Sequence, residues 1–275
     1  MVFYDLMDED GNIFNLNGVD RGSFAKNSLT YREDSIEWEH QIVEKTSGVG
    51  SQAMGESRLK SKNITLEYMS YAETMGDLRE KENNLISFLS KTTYLVDSTD
   101  GIRTEVRIQT YDFTYDVGQH KLGGSGEISF ILLKPFWEAL TEQELSYPVV
   151  ASVLSDIDLT ILGSAEIQPI FEISTVTPAL CDLIEIYLNY TDVSKNIGIE
   201  VQDPVFGAAY GIMTIDCGKG EIKSTIDLPG IDLDRIQYLT DGYGFFNIPS
   251  GESNLRIYAS DNCTVKLKYR PRYYV

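Results

Sequence analysis

Apolar and polar residues alternate at every second position over much of this chain. Ser35–Glu44 places Ile36, Trp38 and Ile42 on one side and Glu37, Glu39 and Gln41 on the other. That is the pattern of a strand buried on one face and open on the other. Arg58–Met69 resumes the period with Ile64, Leu66 and Tyr68 on one face. Further strands are expected at Thr93–Asp97, Ile102–Thr110, Tyr111–Val117 and Glu127–Leu133. Near the start, Val2–Met7 and Ile13–Leu16 flank Asp8-Glu9-Asp10-Gly11-Asn12, which predicts a hairpin with an Asp-Gly turn. Two stretches lack apolar mass. Thr46–Ser57, with Gly48, Gly50, Ser51 and Gly55, reads as a loop that is mobile in isolation. Gly118–Gly126, ending Gly123-Gly124-Ser125-Gly126, reads as a flexible hairpin tip.

One segment departs from the period of two. Ser70-Tyr71-Ala72-Glu73 has the form of a capping box, in which Ser and Glu side chains satisfy each other's backbone N–H groups. After it Met75, Leu78, Leu85, Ile86 and Leu89 recur at helical spacing, with Arg79, Glu80, Lys81 and Glu82 mostly facing out. The expectation is one amphipathic helix from Ala72 to Ser90, its stripe packed on a sheet. The first half is thus strands, a helix, then strands, an α+β arrangement.

A boundary is expected after Trp137, where the helical-looking Glu138–Leu145 leads to Pro148. Beyond Ser155 the chain is strand after strand with Gly or Pro-Ser-Gly turns, which argues for an antiparallel sandwich. The division reads as residues 1–140, a linker over 141–155, and residues 156–275, mainly β throughout. A length of 275 residues accommodates two such cores.

Charge narrows the partners. Against 42 acids stand 23 bases, a formal charge of −19. Such a surface repels nucleic acid, so a sequence reader or phosphate-tracking clamp is disfavoured. A conduit is different, because a negative wall lets a polyanion slide without sticking. The excess also serves plain solubility. Cys181, Cys217 and Cys263 are odd in number and never spaced as CxxC, which speaks against a zinc ribbon and a disulfide framework. They read as small buried hydrophobes in a reducing cytoplasm. The opening Met-Val-Phe-Tyr-Asp lacks the basic start of a signal peptide. The most apolar stretch, Tyr147–Leu162, is interrupted by Asp156 and Asp158, which argues against a membrane span.

Catalytic and metal chemistry finds little support in these residues. Asp8, Asp10 and Asn12 alternate as in an EF-hand, but Gly11 is out of place and Val19 stands where the closing Glu belongs. His40 and His120 have no partner at metal-ligand spacing. Ser51 and Ser125 sit in glycine-rich stretches between strands, not in a strand-to-helix nucleophile elbow. Gly48-Val49-Gly50 is not completed by Gly-Lys-Ser/Thr, and no helix follows Gly123–Gly126, so neither cradles phosphate. The pairs Asp156/Asp158 and Asp232/Asp234 belong to strand edges and turns. Arg270, Arg272 and Tyr273 form a basic-aromatic tip, read as a final strand with snorkelling side chains in preference to a contact site. No catalytic residue, metal ligand or cofactor is expected.

Four phrases near the C-terminus carry a resemblance: GSAEIQPIFEI at Gly163–Ile173, GIMTIDCGKGEI at Gly211–Ile222, GYGFFNIPSGESNLRIYAS at Gly242–Ser260 and VKLKYRPRYYV at Val265–Val275. With EISFILLKPFWEA at Glu127–Ala139, they resemble the distal tail proteins of long-tailed phages. The resemblance implies a tube-like N-terminal ring domain with one helix and a galectin-like C-terminal β-sandwich. It implies a homohexameric ring at the virion tail tip, assembled in the host cytoplasm, joining the tail tube protein to a tail-tip protein. Receptor-binding and tape-measure proteins are further implied neighbours, and DNA passes through the channel without specific binding. In that setting Glu37 and Glu39 are candidate lumen-facing acids, and Gly48, Gly50, Ser51 and Gly55 mark a candidate inter-subunit loop. Tail-like bacteriocins and gene transfer agents use the same part. The alternative function is host-glycan binding through the C-terminal sandwich. That is weakened because this half has neither Trp nor His, and a fold does not bring a site with it.

Overall fold

The structure, a computed structural model, describes residues 4–16, 30–33, 38–44, 51–59, 62–117, 122–134, 136–175, 181–188, 197–202, 212–225, 232–240 and 244–274. The fold is mainly β with a single α-helix. The chain forms two compact units, Met1–Leu140 with Tyr274–Val275, and Thr141–Tyr273.

In the first unit β1 (Tyr4–Asp8) and β2 (Ile13–Asn15) make the expected hairpin. Asp8 Oδ1 accepts from the Asn12 backbone N–H at 2.8 Å and Oδ2 from the Asn12 amide at 2.8 Å. These bonds hold the Asp8 carboxyl below its ordinary range. Gly11 takes φ 85°, a conformation that glycine adopts without strain. This Asp/Asn pair closes a turn and needs no ion.

Then follow β3 (Thr30–Glu33), β4 (Trp38–Glu44), β5 (Ser51–Leu59), β6 (Asn63–Ala72), α1 (Met75–Leu89), β7 (Thr92–Asp97), β8 (Ile102–Val117), β9 (Leu122–Leu132) and β10 (Phe136–Ala139). The main sheet runs β2-β1-β7-β8-β9-β6-β3, with β10 on β8. The pair β4–β5 forms a separate two-stranded sheet.

Several expectations are corrected here. Ser51–Ser57, read as loop, lies in β5, because β4 supplies the backbone partners that a local reading does not see. The remainder of that loop, 46–50, lies outside the described residues. The capping box is not used. Ser70 is buried and continues β6, paired with Gly124. Thr74 caps α1 instead, its Oγ1 accepting from Asp77 N–H at 3.1 Å from an extended backbone. Leu78, Glu82, Leu85 and Leu89 form the inward stripe, so Glu82 faces in, whereas Ile86 is exposed. The core of this unit joins Leu85 and Leu89 to Leu6, Phe14, Leu66, Leu95, Val106, Ile128, Phe130 and Trp137.

The second unit comprises β11 (Gln143–Val149), β12 (Ser155–Ile161), β13 (Ile170–Thr175), β14 (Leu183–Leu188), β15 (Ile197–Gln202), β16 (Ile212–Asp216), β17 (Glu221–Thr225), β18 (Asp232–Asp234), β19 (Gly251–Ala259) and β20 (Cys263–Tyr269), and the short β21 (Arg272–Tyr274) straddles the boundary of the two units. Two antiparallel sheets, β11-β20-β13-β16-β17-β18 and β12-β19-β14-β15, share one core. Phe171, Ile173, Ile215 and Leu267 from the first meet Ile184, Ile186, Leu255 and Ile257 from the second. The stretch 141–155 is not a bare linker, and Glu138–Leu145 is not helical. Ala139 ends β10, and Gln143 begins β11, which pairs with β20 along its whole length. Leu145, Tyr147 and Val149 point to the core, outweighing the helical tendency of Glu-rich sequence. Pro148 is accommodated because β11 is an edge strand.

Candidate functional site

Three strands of the first unit bring carboxylates into one row. In the order β8-β9-β6, the register sets Glu127 opposite Glu67 on one side and opposite Asp112 on the other. Cross-strand neighbours of this kind project to the same face with Cβ atoms about 5 Å apart. The next row, Tyr68, Gly126 and Phe113, points to the opposite face. The acids therefore stand on the face away from α1. Thr65 Oγ1 and Ser129 Oγ bond at 3.0 Å in one neighbouring row, and the other holds Ser125 and Thr114 with the exposed Met69. None of the three acids forms an ion pair with a described residue. Three like charges in a row cost folding energy, so the row concentrates negative charge at a cost in stability, while the register sets Arg32 and Arg107 on the same face in other rows.

The reverse face explains why these strands stay extended so far. Tyr68 stacks on Phe113 with centroids 5.6 Å apart, and Phe113 meets Tyr115 edge-on at 5.0 Å. The rings lie over glycine. A Cβ on Gly124 would fall 2.2 Å from the Phe113 ring, and one on Gly126 would fall 2.0 Å from the Asp112 carbonyl oxygen. Gly123–Gly126 is thus the floor of an aromatic ladder, not a hairpin tip. The Tyr68 hydroxyl donates to the Tyr111 hydroxyl at 2.8 Å, which in turn donates to the buried Glu82 carboxylate on α1, and the Tyr68 oxygen stands 3.3 Å from that same carboxylate oxygen. Helix and ladder are tied together at this point.

The residues expected from sequence distribute differently. Glu37 lies outside the described residues, as do Gly48 and Gly50. Glu39 is in β4, where Arg58 is its partner across the hairpin. Ser51 and Gly55 are in β5. Neither stands near the row of Glu67, Glu127 and Asp112 in the sheet order. Each of those acids is legible as the polar half of an alternating strand, but their alignment depends on register between distant segments.

Other candidate chemistry is absorbed by structure. Asp156 forms a two-point ion pair with Arg256 at 2.5 and 2.9 Å, which holds its carboxyl below the ordinary range. Asp158 accepts from the Asn254 amide at 3.0 Å. These polar groups line the outer face of β12 and β19, beside a shallow groove of about 520 Å³, and they satisfy one another. Asp234 accepts from the Ile236 N–H. Arg272 is buried, its backbone bridging Gly163 and Ala165 and its guanidinium donating to Gln168 at 2.9 Å. No cluster of three metal-ligating side chains occurs among the described residues.

No protein-family model and no curated protein matches the chain. Solved structures do. The chain is similar to the Dit protein of SPP1, described as a paradigm of the hub adsorption apparatus in phages infecting Gram-positive bacteria. The match has a TM-score of 0.69 and 13% identity over 98% of each chain. It is also similar to a chain of the phage P2 baseplate in its activated conformation with calcium, at a TM-score of 0.57 and 9% identity, again over 98% of both. The strontium form gives 0.55 and 10%. At these identities the likeness is one of fold.

Proposed function

We propose that the chain is a structural component of a phage-type tail tip, a distal tail hub that forms a homohexameric ring between tail tube and adhesion apparatus. The observation that carries this reading is the likeness of fold over 98% of both chains to the SPP1 hub protein. Both units are covered together, so the likeness is not that of a sandwich found in many settings. In this reading one face of the ring binds the tube protein and the other a tail-tip protein, with receptor-binding or tape-measure proteins nearby.

The row of Glu67, Glu127 and Asp112 is proposed to line the channel, with Glu37 and Glu39 as further candidate acids. Its position on an open sheet face, opposite the helix, supports this assignment. Six copies would surround passing DNA with carboxylates that repel its phosphates. The β4–β5 hairpin, which pairs with no other described strand, is proposed to reach a neighbouring subunit or the tube.

Light scattering on the purified chain tests the ring. The expected mass is six times 30.9 kDa, with six-fold rings and a central opening in particle images. A chain that stays monomeric at tens of micromolar, alone and with its tube protein, refutes the proposal.

A further inference from the structure

Two cysteines 82 positions apart in sequence meet at one end of the sandwich. Cys263 is the first residue of β20, facing Val149 on β11 and Thr175 on β13 across the six-stranded sheet. Cys181 lies just before β14, which belongs to the four-stranded sheet. Backbone contacts fix the two segments together. Ser260 Oγ accepts from Asp182 N–H at 3.0 Å and from Leu183 N–H at 3.2 Å, and Ser260 N–H donates to the Leu183 carbonyl at 3.0 Å. The strand pair continues with Ile184 opposite Ala259. Both cysteines are free and buried and belong to the same core cluster of the sandwich, with the Cys181 thiol donating to the Leu183 carbonyl at 3.9 Å.

We propose that Cys181 and Cys263 are an oxidisable pair whose disulfide links the two sheets of the C-terminal sandwich. The bond would tie the lead-in of β14 to the start of β20 and close a long loop, the arrangement in which a cross-link most restricts the unfolded chain. The chemistry is thiol–disulfide exchange with a small disulfide as oxidant. The Cys181 thiolate, having lost its proton to water, attacks one sulfur of the oxidant and forms a mixed disulfide, releasing one small thiolate. Cys263, deprotonated in turn, attacks the Cys181 sulfur and expels the second. Two protein thiols are oxidised and one small disulfide is reduced to two thiols.

Cys181 is the attacking group. The hydrogen bond from Cys263 draws its thiol down to about 7, and the same bond, aided by burial, pushes Cys263 up. The third cysteine is a built-in control, because burial pushes Cys217 up to about 12 and keeps it inert. Access requires local opening of the strand end, which the Ser260 contacts hold at a margin of the sheet. On the reading proposed above, such a part is built in a reducing cytoplasm and works outside the cell, where the bond would close.

The test uses the full chain purified under reductant and then exposed to oxidised glutathione. Free thiols counted in denaturant should fall from three to one. Peptide mapping should find Cys181 joined to Cys263, and the unfolding midpoint of the C-terminal unit should rise by about 10 °C and return on reduction. Cys181→Ser and Cys263→Ser should each abolish the rise, and Cys217→Ser should retain it. Three remaining thiols, a stable glutathione adduct on either cysteine, a cross-link through Cys217, or a bond that leaves the midpoint unmoved would each overturn the proposal. These readouts are the same for ring and monomer, so their outcome is separate from that of the ring assignment.

Discussion

Glu127 stands between two like charges, and replacing it with Gln should make the protein more stable. In the folded state it faces Glu67 on β6 and Asp112 on β8. At about 5 Å in water each pair repels by about 0.8 kcal/mol, and measured cross-strand charge pairs span about 0.2–1 kcal/mol. Removing both repulsions should stabilise the first unit by about 0.5–1.5 kcal/mol, a rise of roughly 2–5 °C in its midpoint. The assay is selective, because both tryptophans, Trp38 and Trp137, lie in the first unit. Trp137 is buried and stacks on Tyr4 at 6.0 Å, so its fluorescence reports loss of that core. The gain should shrink in 1 M salt, where the screening length falls to about 3 Å from about 10 Å at 0.1 M. A variant no more stable than the parent at low salt, or equally stabilised at all salt concentrations, refutes the reasoning. In a tail that carries the protein, Glu127→Lys should slow DNA ejection more at low salt than at high.

Gly126→Ala should cost about 2–4 kcal/mol by urea unfolding, because its Cβ would lie 2.0 Å from a backbone oxygen that cannot move aside. Tyr111→Phe should cost about 1.5–3 kcal/mol, since it removes a hydroxyl donor from the buried Glu82 carboxylate; an unchanged midpoint would mean that water replaces it. A fragment of residues 141–273 should fold as a monomer, whereas one starting at 150 should not hold its fold, having lost β11 from the edge of β20 and Val149 from the core; on the proposed reading, residues 1–140 carry the ring contacts. Glu144, Asp156 and Glu221 all titrate below their ordinary values because of Lys266, Arg256 and Lys223 respectively. Their stabilisation is therefore fully present above the ordinary carboxylate range and is lost as the pH falls from that range through the lower folded-state values, an effect that should be small at exposed sites and checkable by urea midpoints from pH 7 downward.

Features set by neighbouring residues are the more legible ones, although Ile86, which helical spacing places in the inward stripe, is exposed. The Asp8–Asn12 hairpin needs only its own five residues, and the inward stripe of Leu78, Leu85 and Leu89 needs only helical spacing. Glu82 broke the pattern because its partners, Tyr68 and Tyr111, come from two other strands. Gly123–Gly126 looked like a turn because glycine usually marks one. Here it is selected by three aromatic rings supplied from β6 and β8. Ser70 and Glu73 formed a plausible cap, but pairing with Gly124 claimed the Ser70 backbone before the helix could begin. The acid row and the Cys181–Cys263 contact belong to the same class, since register and sheet packing, not spacing, create them.

Three features of the first unit are hard to explain by folding alone. A row of carboxylates with no ion-pair partner among the described residues opposes its own sheet, a two-stranded hairpin leaves its edges without described partners, and the strands β8 and β9 run on over a ladder of rings laid on glycine. A sequence under selection only for stability would place a Lys or Thr in the acid row and shorten the hairpin. Such local conflicts persist where something outside the isolated chain compensates them. On the proposed reading a closed ring would supply that compensation, because neighbours would pair the exposed edges by rotation and a central channel would use the repulsion that the monomer merely bears. The same logic makes Glu127→Gln a discriminating change: a gain in stability joined to a loss in DNA passage would mark the row as kept for the assembly. A gain in stability with passage intact would remove the row from the mechanism and leave the ring to be judged by its mass alone.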